Sequence, residues 1–332
     1  MGSISVTALV DCYNHEPYVE AAIKSIRDQD WGGKTWELIV VDDGSTDKTA
    51  EAVRRCAPDA RLIVQKNAGQ AAAFNAAVRE ARGEVICFLD GDDVWYPGKI
   101  KAVLAEFSAH PESSFVQNAM EPVDVSGKPL AQPRSFPPAS IRLEDVLAGR
   151  DVLIGTSGVS VRRSALDKIS PIPEDLKLYA DEYVSKHILF FGTGRTVPGI
   201  LGGLRIHETN SFQGMNWRAD RLERYLSIST RLEALLDARL RANGRTLPPE
   251  GRRAKLLDRM TKVILLRGWR GDRSGALDAW SELKRELPAS AFNAFKLSTL
   301  LLAVASPRAY LTMHALYGRS SLLPWARDRF LK

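Results

Sequence analysis

Apolar runs alternate with segments of helical spacing through the first third of the chain. Four apolar runs are typical of short strands, namely Ile4–Val10, Trp36–Val41, Arg61–Gln65 and Glu84–Leu89. The segments between them have helical spacing, at Tyr18–Ser25, Asp47–Cys56 and Gln70–Ala81. Strands that alternate with helices form a mainly parallel sheet with helices on both faces, so we predict an α/β fold. Ligands of such sheets bind beyond the carboxyl ends of the strands.

The pattern changes twice after residue 107. Residues 108–150 are rich in proline and polar side chains, so we expect loops and short edge strands there. Residues 151–212 mix strands with a helix at Asp181–Phe191. Four amphipathic helical segments follow, at Arg221–Arg241, Arg253–Leu266, Ser274–Glu286 and Ala291–Val304. We therefore predict a domain over residues 1–212, made of the halves 1–107 and 108–212, and a helical region over 213–332.

Composition narrows the class of protein. The 332 residues are 45% hydrophobic and 26% charged, which is ordinary for a globular protein. The three cysteines, Cys12, Cys56 and Cys87, form neither a CxxC pair nor a disulfide framework, which indicates a reducing compartment. No secretion signal is recognised, and the apolar run Leu297–Ala305 has roughly half of a membrane-spanning length. We expect a cytoplasmic protein.

Charge is distributed unevenly along the chain. Residues 1–150 carry 16 basic and 22 acidic side chains, a balance of −6, whereas residues 151–332 carry 30 and 18, a balance of +12. A basic half suits an anionic partner such as a phosphate-bearing lipid, an anionic membrane or a nucleic acid, but a solvated helical surface explains it equally well.

The last helical segments have apolar faces beside basic residues, which are Arg308, Arg319, Arg327 and Arg329. Three interpretations stay open for this helical region. It docks peripherally on the inner face of the membrane, it packs on the first domain, or it forms a dimer.

An acidic cluster, Asp90-Gly91-Asp92-Asp93, follows the strand predicted at Glu84–Leu89. Carboxylates one residue apart repel each other unless a cation or protons neutralise them, and Asp90 and Asp92 share one side of an extended chain. Their hard oxygen ligands suit Mg²⁺ or Mn²⁺, which usually bridge to phosphates. An isolated DxD is weak, since a solvated capping turn explains it too, but its place after an apolar strand favours a site.

A second acidic turn, Asp42-Asp43-Gly44-Ser45, follows the strand predicted at Trp36–Val41. Gly44 permits a tight backbone, and the Asp43 carboxylate is suited to accept a hydrogen bond from an N–H of a base or a sugar hydroxyl. The alternative is again a simple capped turn, because these residue types favour turns in any case.

Taken in order, these motifs resemble those of glycosyltransferase family 2, whose enzymes have the Rossmann-like GT-A fold. The likeness covers about residues 4–212. The matching segments are Tyr13–Glu16, Ser25, Gln29, Glu37–Asp47, Asn67–Gly69, Asn75, Ala81–Glu84, Phe88–Asp93, Trp95–Lys99, Gly155–Gly158, Tyr179–Tyr183 and Leu204–Ser211. No single segment is decisive, but the ordered set with matching spacing is specific to this family.

The resemblance implies roles for individual residues. Those it assigns to the nucleotide or the donor are Tyr13, Asn14, Asp43, Asn67, Gly69, Asn75, Asp90 and Gly91. The backbone near Tyr13 and the side chain of Asp43 would hold the base, and Asp90 would contact the ribose. Asp92 would coordinate the Mn²⁺ or Mg²⁺ that binds the diphosphate, Asp93 would brace the loop, and His207 would contact the diphosphate or the metal. Arg205 would hold its loop together through carboxylate contacts.

The catalytic base of the family falls in Tyr179–Tyr183, where the sequence departs from the usual Glu-Asp pair. Asp181 takes the position of the base and Ala180 that of the preceding acid, whereas an alignment shifted by one makes Glu182 the base. We favour Asp181. An acidic helix start, stabilised by the helix dipole, is the alternative interpretation of both carboxylates.

The resemblance implies a metal-dependent, inverting glycosyltransferase. It would move a sugar from a nucleoside-diphosphate donor, expected to be UDP-linked, to a hydroxyl of a glycan or lipid-linked acceptor in polysaccharide or cell-envelope synthesis. No nucleic-acid partner is expected. Two alternatives stay open. A haloacid-dehalogenase-type phosphatase would use Asp90 as the nucleophile of a DxDx[TV] motif, although that motif normally follows the first strand. A non-catalytic nucleotide-sugar-binding module would explain Ala180.

Overall fold

The computed structural model of the protein describes residues 5–130, 137–207, 210 and 218–319. The chain forms two compact units. The first unit comprises Met1–Val146 with Arg150–Gly214, and the second comprises Leu147–Gly149 with Met215–Lys332. The domain boundary expected at residue 212 lies outside the described residues, so this division stays a prediction.

A mixed sheet of nine strands forms the centre of the first unit as far as it is described. The strands are β1 (Val6–Cys12), β2 (Trp36–Asp42), β3 (Arg61–Val64), β4 (Val85–Asp90), β5 (Val94–Trp95), β6 (Ser113–Val123), β7 (Ser140–Ile141), β8 (Val159–Arg162) and β9 (Thr193–Arg205). The helices are α1 (Val19–Arg27), α2 (Thr49–Cys56), α3 (Gln70–Glu80), α4 (Lys99–Ala109), α5 (Leu143–Leu147), α6 (Arg163–Leu166) and α7 (Ala180–Ile188).

The strands lie in the order β3-β2-β1-β4-β8-β6-β9-β5, with β7 beside β9. β1 to β4 are mutually parallel, as predicted for residues 1–107. The sheet as a whole is mixed, because β8 runs antiparallel to both β4 and β6. A 3-10 turn, Thr156–Gly158, brings the chain to the carboxyl end of β4, so that β8 starts where β4 ends.

Alternate residues of the central strands face opposite layers, as the two-residue period of a strand requires. On one face, Ala8 and Val10 of β1 belong to a core cluster with Ile23 of α1, Val53 of α2 and Ile100 of α4. On the other face, the ring of Phe74 in α3 packs against that of Phe88 in β4, with centroids 4.8 Å apart. The prediction of helices on both faces is confirmed.

Strand β6 corrects the expectation of loops and short edge strands over residues 108–150. It is an eleven-residue strand between β8 and β9, and its polar residues are buried. The amide of Gln117 donates from Nε2 to the carbonyl of Val152 (2.7 Å) and accepts at Oε1 from the N–H of Ile154 (3.0 Å). Because the Gln117 amide is paired with backbone groups, an interior strand can hold this side chain without the cost of unpaired burial.

The described part of the second unit is helical. Its helices are α8 (Ala219–Ala242), α9 (Pro249–Trp269), α10 (Arg273–Glu286), α11 (Ala291–Ala305) and α12 (Pro307–Arg319). They enclose a core that includes Ile264 and Leu265 of α9, Leu283 of α10 and Leu300 of α11. Four of these helices correspond to the predicted segments, and a fifth begins at Pro307, where proline suits the first helical position. Arg327 and Arg329 lie outside the described residues.

No described helix combines the length and the apolar character that crossing a membrane requires.

Candidate active site

The carboxyl ends of β1, β2 and β4 bring the two acidic turns to one edge of the sheet. In the parallel register, Asp11 of β1 lies opposite Asp90 of β4, and Cys12 lies opposite Asp42 of β2. The N–H of Gly91 donates to the carbonyl of Asp11 at 2.8 Å, so the turn after β4 continues against β1. This convergence is what the order of strands and turns in the sequence predicted.

The turn from Asp90 to Asp93, called the acid turn below, passes close to the loop after β1 at Gly91. A Cβ atom at this position would lie 2.7 Å from Cβ of Cys12 and 2.8 Å from Nδ1 of His15. Neither atom can retreat cheaply, because Cys12 is buried in the sheet. Glycine is therefore required for the close approach of the two segments.

The acid turn, Asp90 to Asp93, has the donor set of a divalent cation site. One oxygen from each of Asp90, Asp92 and Asp93 lies within 4.8 Å of the others. Burial, followed by repulsion from Asp11 and Asp93, raises the pKa of Asp90 well above its ordinary value. Burial and the charge of Asp92 likewise raise the pKa of Asp93. A bound cation would relieve this repulsion, and carboxylate oxygens are the ligands that Mg²⁺ and Mn²⁺ prefer.

The Asp92 carboxylate is the point on which the neighbouring polar side chains converge. Its Oδ2 lies 2.9 Å from Nε2 of His207, 3.2 Å from Nδ2 of Asn210 and 3.7 Å from Nε2 of His15. Burial opposes ionisation of Asp92, but the hydrogen bond with His207 and the proximity of His15 outweigh it and lower the pKa. His207 thus lies where the resemblance implied, beside the proposed metal ligand.

Arg205 and Asp93 brace the acid turn from the side of β9. The Arg205 guanidinium donates from Nε to the carbonyl oxygen of Asp92 (2.8 Å) and from NH1 to those of Asp124 and Val125. The hydrogen bonds of this guanidinium to described residues run to carbonyl oxygens, and its charge acts on the Asp93 carboxylate by opposing the rise in its pKa. The carboxylate contact comes from the backbone instead, because the Arg205 N–H donates to Oδ1 of Asp93 at 2.8 Å.

The sequence analysis assigned no role to Asp11 or His15, which both lie at this edge. Asp11 is an acidic residue inside the otherwise apolar β1, and this interruption was a usable signal. Burial, followed among the raising effects by repulsion from Asp92 and Asp181, raises the pKa of Asp11 to about 7. His15 was part of a recognised motif but received no role, because only the tertiary structure brings its ring to Asp92.

Asp43 joins the turn after β2 to the loop that precedes α3. Its carboxylate accepts hydrogen bonds from Nε2 of Gln65 (2.7 Å) and from the N–H groups of Ala68 (2.9 Å) and Gly69 (2.7 Å). Gly69 has φ +93°, and a Cβ there would lie 2.5 Å from Cα of Lys177, so both conformation and space require glycine.

The backbone of Asn67 packs against Gly44 of the same turn, since a Cβ on Gly44 would lie 2.5 Å from the Asn67 nitrogen. The turn after β2 and the loop before α3 therefore pack together at the carboxyl ends of the strands. This loop pair contains Asp43, Asn67 and Gly69.

The loop after β1 is tied to the loop after β2. Asn14 has a left-handed backbone (φ +57°), its N–H donates to Oγ of Ser45 (2.9 Å), and its Oδ1 accepts from the N–H of Thr46 (2.7 Å). The neighbouring Tyr13 side chain is 45% exposed, which leaves its ring open to a ligand.

Asn75 lies away from this loop pair, inside α3. Its Nδ2 donates to the carbonyl of Ile172 (2.8 Å) and its Oδ1 accepts from the Ile172 N–H (2.8 Å). Asn75 thus holds the segment that leads to α7, and its part in the donor pocket stays a prediction.

The two candidate bases at the start of α7 have different surroundings. Asp181 accepts at Oδ2 from the N–H of Thr156 (3.1 Å) and repels the charges of Asp11 and Asp90. Burial, followed by repulsion from Glu182, raises the pKa of Asp181. Glu182 instead forms an ion pair with Lys186, one helical turn along α7.

Residues 7–170 match the model of the family described as glycosyl transferase family 2. The chain belongs to glycosyltransferase family 2. An uncharacterised glycosyltransferase of Nostoc sp. is 32% identical over 220 residues, which is 63% of this chain and 66% of that relative. The poly(ribitol-phosphate) β-N-acetylglucosaminyltransferase TarS of Staphylococcus aureus is 29% identical over 182 residues, 53% of this chain and 31% of TarS. The chain thus spans just under two thirds of the first relative and about a third of the second.

Solved structures show that this family 2 member has the GT-A fold. The structure of TarS residues 1–349 in complex with UDP-GlcNAc matches with a TM-score of 0.55 at 20% identity, over 85% of this chain and 90% of that chain. The mannosyltransferase of Pyrobaculum calidifontis, in complex with GDP-Man and Mn²⁺, matches with a TM-score of 0.57 at 21% identity, over 95% and 85% of the two chains.

Proposed function

We propose that the protein is a metal-dependent, inverting glycosyltransferase that transfers a sugar from a nucleoside-diphosphate donor to an acceptor hydroxyl. The proposal rests on two features that lie at the same edge of the sheet. The acid turn has a cation-type donor set with His207 beside Asp92, and the half-buried Asp181 lies within electrostatic range of Asp90. A phosphatase using Asp90 as nucleophile is not favoured, since it would leave Asp43 and Asp181 without a role.

Asp92 and His207 would hold the metal, with Asp90 directed to the ribose and the loop pair around Asp43 directed to the base. A carboxylate with an imidazole suits Mn²⁺, and carboxylates alone suit Mg²⁺. When bound, the ion neutralises the charge that develops on the departing nucleoside diphosphate. The Mn²⁺ complex of the Pyrobaculum mannosyltransferase supports this choice of metal.

Asp181 would remove the proton from the acceptor hydroxyl. A carboxylate whose pKa is raised by burial, as that of Asp181 is, is a stronger base than a solvated one. Glu182 is instead held in an ion pair with Lys186. The Cys12 thiol at this edge donates to the carbonyl of Val41, and its pKa is raised well above the ordinary value by burial. It is therefore a poor nucleophile, which favours single displacement with inversion.

For the donor we propose a UDP-linked sugar, and for the acceptor a glycan or lipid-linked molecule of polysaccharide or cell-envelope synthesis. The UDP-GlcNAc complex of TarS, and the poly(ribitol-phosphate) in the name of that relative, support these classes. The balance of +12 over residues 151–332 suits an anionic acceptor or peripheral contact with the inner face of the membrane. A cytoplasmic location fits the same proposal.

Two variants at adjacent positions test the assignment. With UDP-sugar and Mn²⁺, Asp181→Asn is expected to lower donor hydrolysis or transfer by about 10²–10⁴-fold, the usual contribution of a general base. UDP–Mn²⁺ affinity, measured by calorimetry, should change little. The matched control Glu182→Gln is expected to retain most of the turnover. Binding by the wild type without turnover would instead support a non-catalytic module, and a product with the donor's anomeric configuration would contradict inversion.

A further inference from the structure

Ser157 is a buried serine that the proposed reaction leaves without a role. It lies in the Thr156–Gly158 turn and is only 2% exposed. Its hydroxyl donates to Oδ2 of Asp93 (2.6 Å) and accepts from the N–H of Asp90 (3.0 Å). One oxygen atom therefore contacts both ends of the acid turn.

We propose that Ser157 is a positioning residue, which holds the acid turn in the geometry that binds the metal and couples this turn to Asp181. The inference rests on the proposed function, because it assigns Asp92 to the metal and Asp181 to the proton. Ser157 touches neither the metal nor the substrate in this scheme, and it acts through Asp90 and Asp93.

Asp93 is held from two sides. Both of its oxygens are used inside the protein, since Oδ2 accepts from Ser157 and Oδ1 accepts from the Arg205 N–H. These two contacts clamp the acid turn between the Thr156–Gly158 turn and β9. Without the hydroxyl, the Asp90 N–H and one Asp93 oxygen would be buried without this partner, which is costly enough for the turn to shift.

The backbone of Ser157 is fixed from the opposite side. Its carbonyl oxygen accepts from Nζ of Lys99 (2.5 Å) and from Nε1 of Trp95 (3.2 Å). The Lys99 ammonium also lies 4.6 Å from the centroid of the Trp95 ring. Two donors from buried residues anchor the Ser157 carbonyl, so the position of the Ser157 hydroxyl is fixed. The acid turn, which this hydroxyl contacts, is fixed with it.

The Thr156–Gly158 turn also connects the acid turn to the proposed base, Asp181. The residue before Ser157, Thr156, donates its N–H to Oδ2 of Asp181 at 3.1 Å. Its hydroxyl accepts from Nε2 of Gln70 (3.2 Å), and Oε1 of Gln70 accepts from the N–H of Ala180 (2.9 Å). Two consecutive residues thus contact both the acid turn and the start of α7, and a shift at one is transmitted to the other.

The test is Ser157→Ala, with Mn²⁺ affinity measured by electron paramagnetic resonance in the presence of saturating UDP. We expect the dissociation constant to rise by about tenfold, the size of one buried hydrogen bond to a charged group. Donor hydrolysis at saturating Mn²⁺ should also fall, because Thr156 shifts relative to Asp181. The matched control is Ser160→Ala on β8, a fully buried serine whose hydroxyl lies beside the Cys87 thiol. Its Mn²⁺ affinity should match the wild type.

A double-mutant cycle separates positioning from general stability. If Ser157 acts through Asp93, adding Ser157→Ala to Asp93→Asn should weaken Mn²⁺ binding by less than about threefold, since the shared contact is already lost. Should Ser157→Ala not fold, Ser157→Cys carries the same test with a weaker donor in the same place.

Five results would overturn part or all of the inference. Wild-type Mn²⁺ affinity in folded Ser157→Ala, or equal weakening by Ser160→Ala, refutes it. Additive effects in the cycle refute the route through Asp93. Reduced affinity with normal turnover at saturating Mn²⁺ refutes the coupling to Asp181. A wild-type protein that binds no Mn²⁺ refutes the proposed function itself and this inference with it.

Discussion

Replacement of Lys99 tests the electrostatics beneath the acid turn. The side chain is fully buried at the start of α4, where its Nζ donates to the carbonyl of Ser157. Burial lowers the pKa of Lys99 from its ordinary value of 10.5 to about 7, because the charged form loses its hydration. A methionine at this position would keep the length of the side chain without a titratable group.

The direction of the effect follows from proton binding. Between pH 7 and pH 10.5 the unfolded chain keeps the proton on Lys99 while the folded protein loses it, so the free energy of unfolding rises with pH over this range. Below pH 7 both states are charged, and the folded state bears the full cost of burying the charge. At ~1.4 kcal/mol per pH unit, the lowered pKa corresponds to about 5 kcal/mol over the whole window.

The assay compares urea unfolding of the wild type and Lys99→Met at several pH values. Between pH 7 and pH 10 the unfolding free energy of the wild type should rise relative to that of Lys99→Met by about 3–5 kcal/mol. Groups other than Lys99 titrate in both proteins, so their contributions cancel in this comparison. Lys101→Met is the matched control, because Lys101 is an exposed lysine of the same helix, 3.9 Å from Asp30. A difference between wild type and Lys99→Met that stays constant across this range would refute the reasoning.

Two further substitutions test the loop pair and the metal ligand. Gly69→Ala should lower the melting temperature of the first unit much more than Gly199→Ala does. The expected loss in unfolding free energy for Gly69→Ala is about 2 kcal/mol or more. Both glycines have φ near +93°, but an added Cβ would collide with Lys177 only at Gly69, and equal losses would show that the backbone conformation alone is responsible. His207→Ala should weaken Mn²⁺ binding by about tenfold or more, as loss of a ligand does, and unchanged affinity by calorimetry would exclude His207 from the metal.

The sequence determined the strand-end turns because the signals for them are local. Apolar runs of strand length end at Asp42 and Asp90, and in parallel strands those ends share one edge. Glycine at position 44 and the carboxylate at position 43 belong to the same short turn, so their proximity follows from chain connectivity alone. Membership of the family and the GT-A fold could therefore be predicted from these ordered motifs.

Strand β6 shows where local pattern fails. Its polar residues indicated loops, yet Gln117 is buried and paired with Val152 and Ile154, which lie 35 and 37 residues further along the chain. The Gln117 amide is compatible with an interior strand because a distant segment supplies its partners, and that information is absent from any short window of sequence.

The tertiary structure alone gave Asp181 and Glu182 different partners, and it alone brought Asp11, His15 and Ser157 to the acid turn. A sequence motif does not distinguish two adjacent carboxylates. In the structure, Glu182 pairs with Lys186 on its own helix, whereas Asp181 accepts a hydrogen bond from the N–H of Thr156, which is distant in the chain. Ser157 reaches Asp93 over 64 residues of chain. The sequence determined which residue types stand at the strand ends, because periodicity and turns are local. Contacts between residues far apart in the chain decided how those residues are held, because hydrogen bonding and charge act through space.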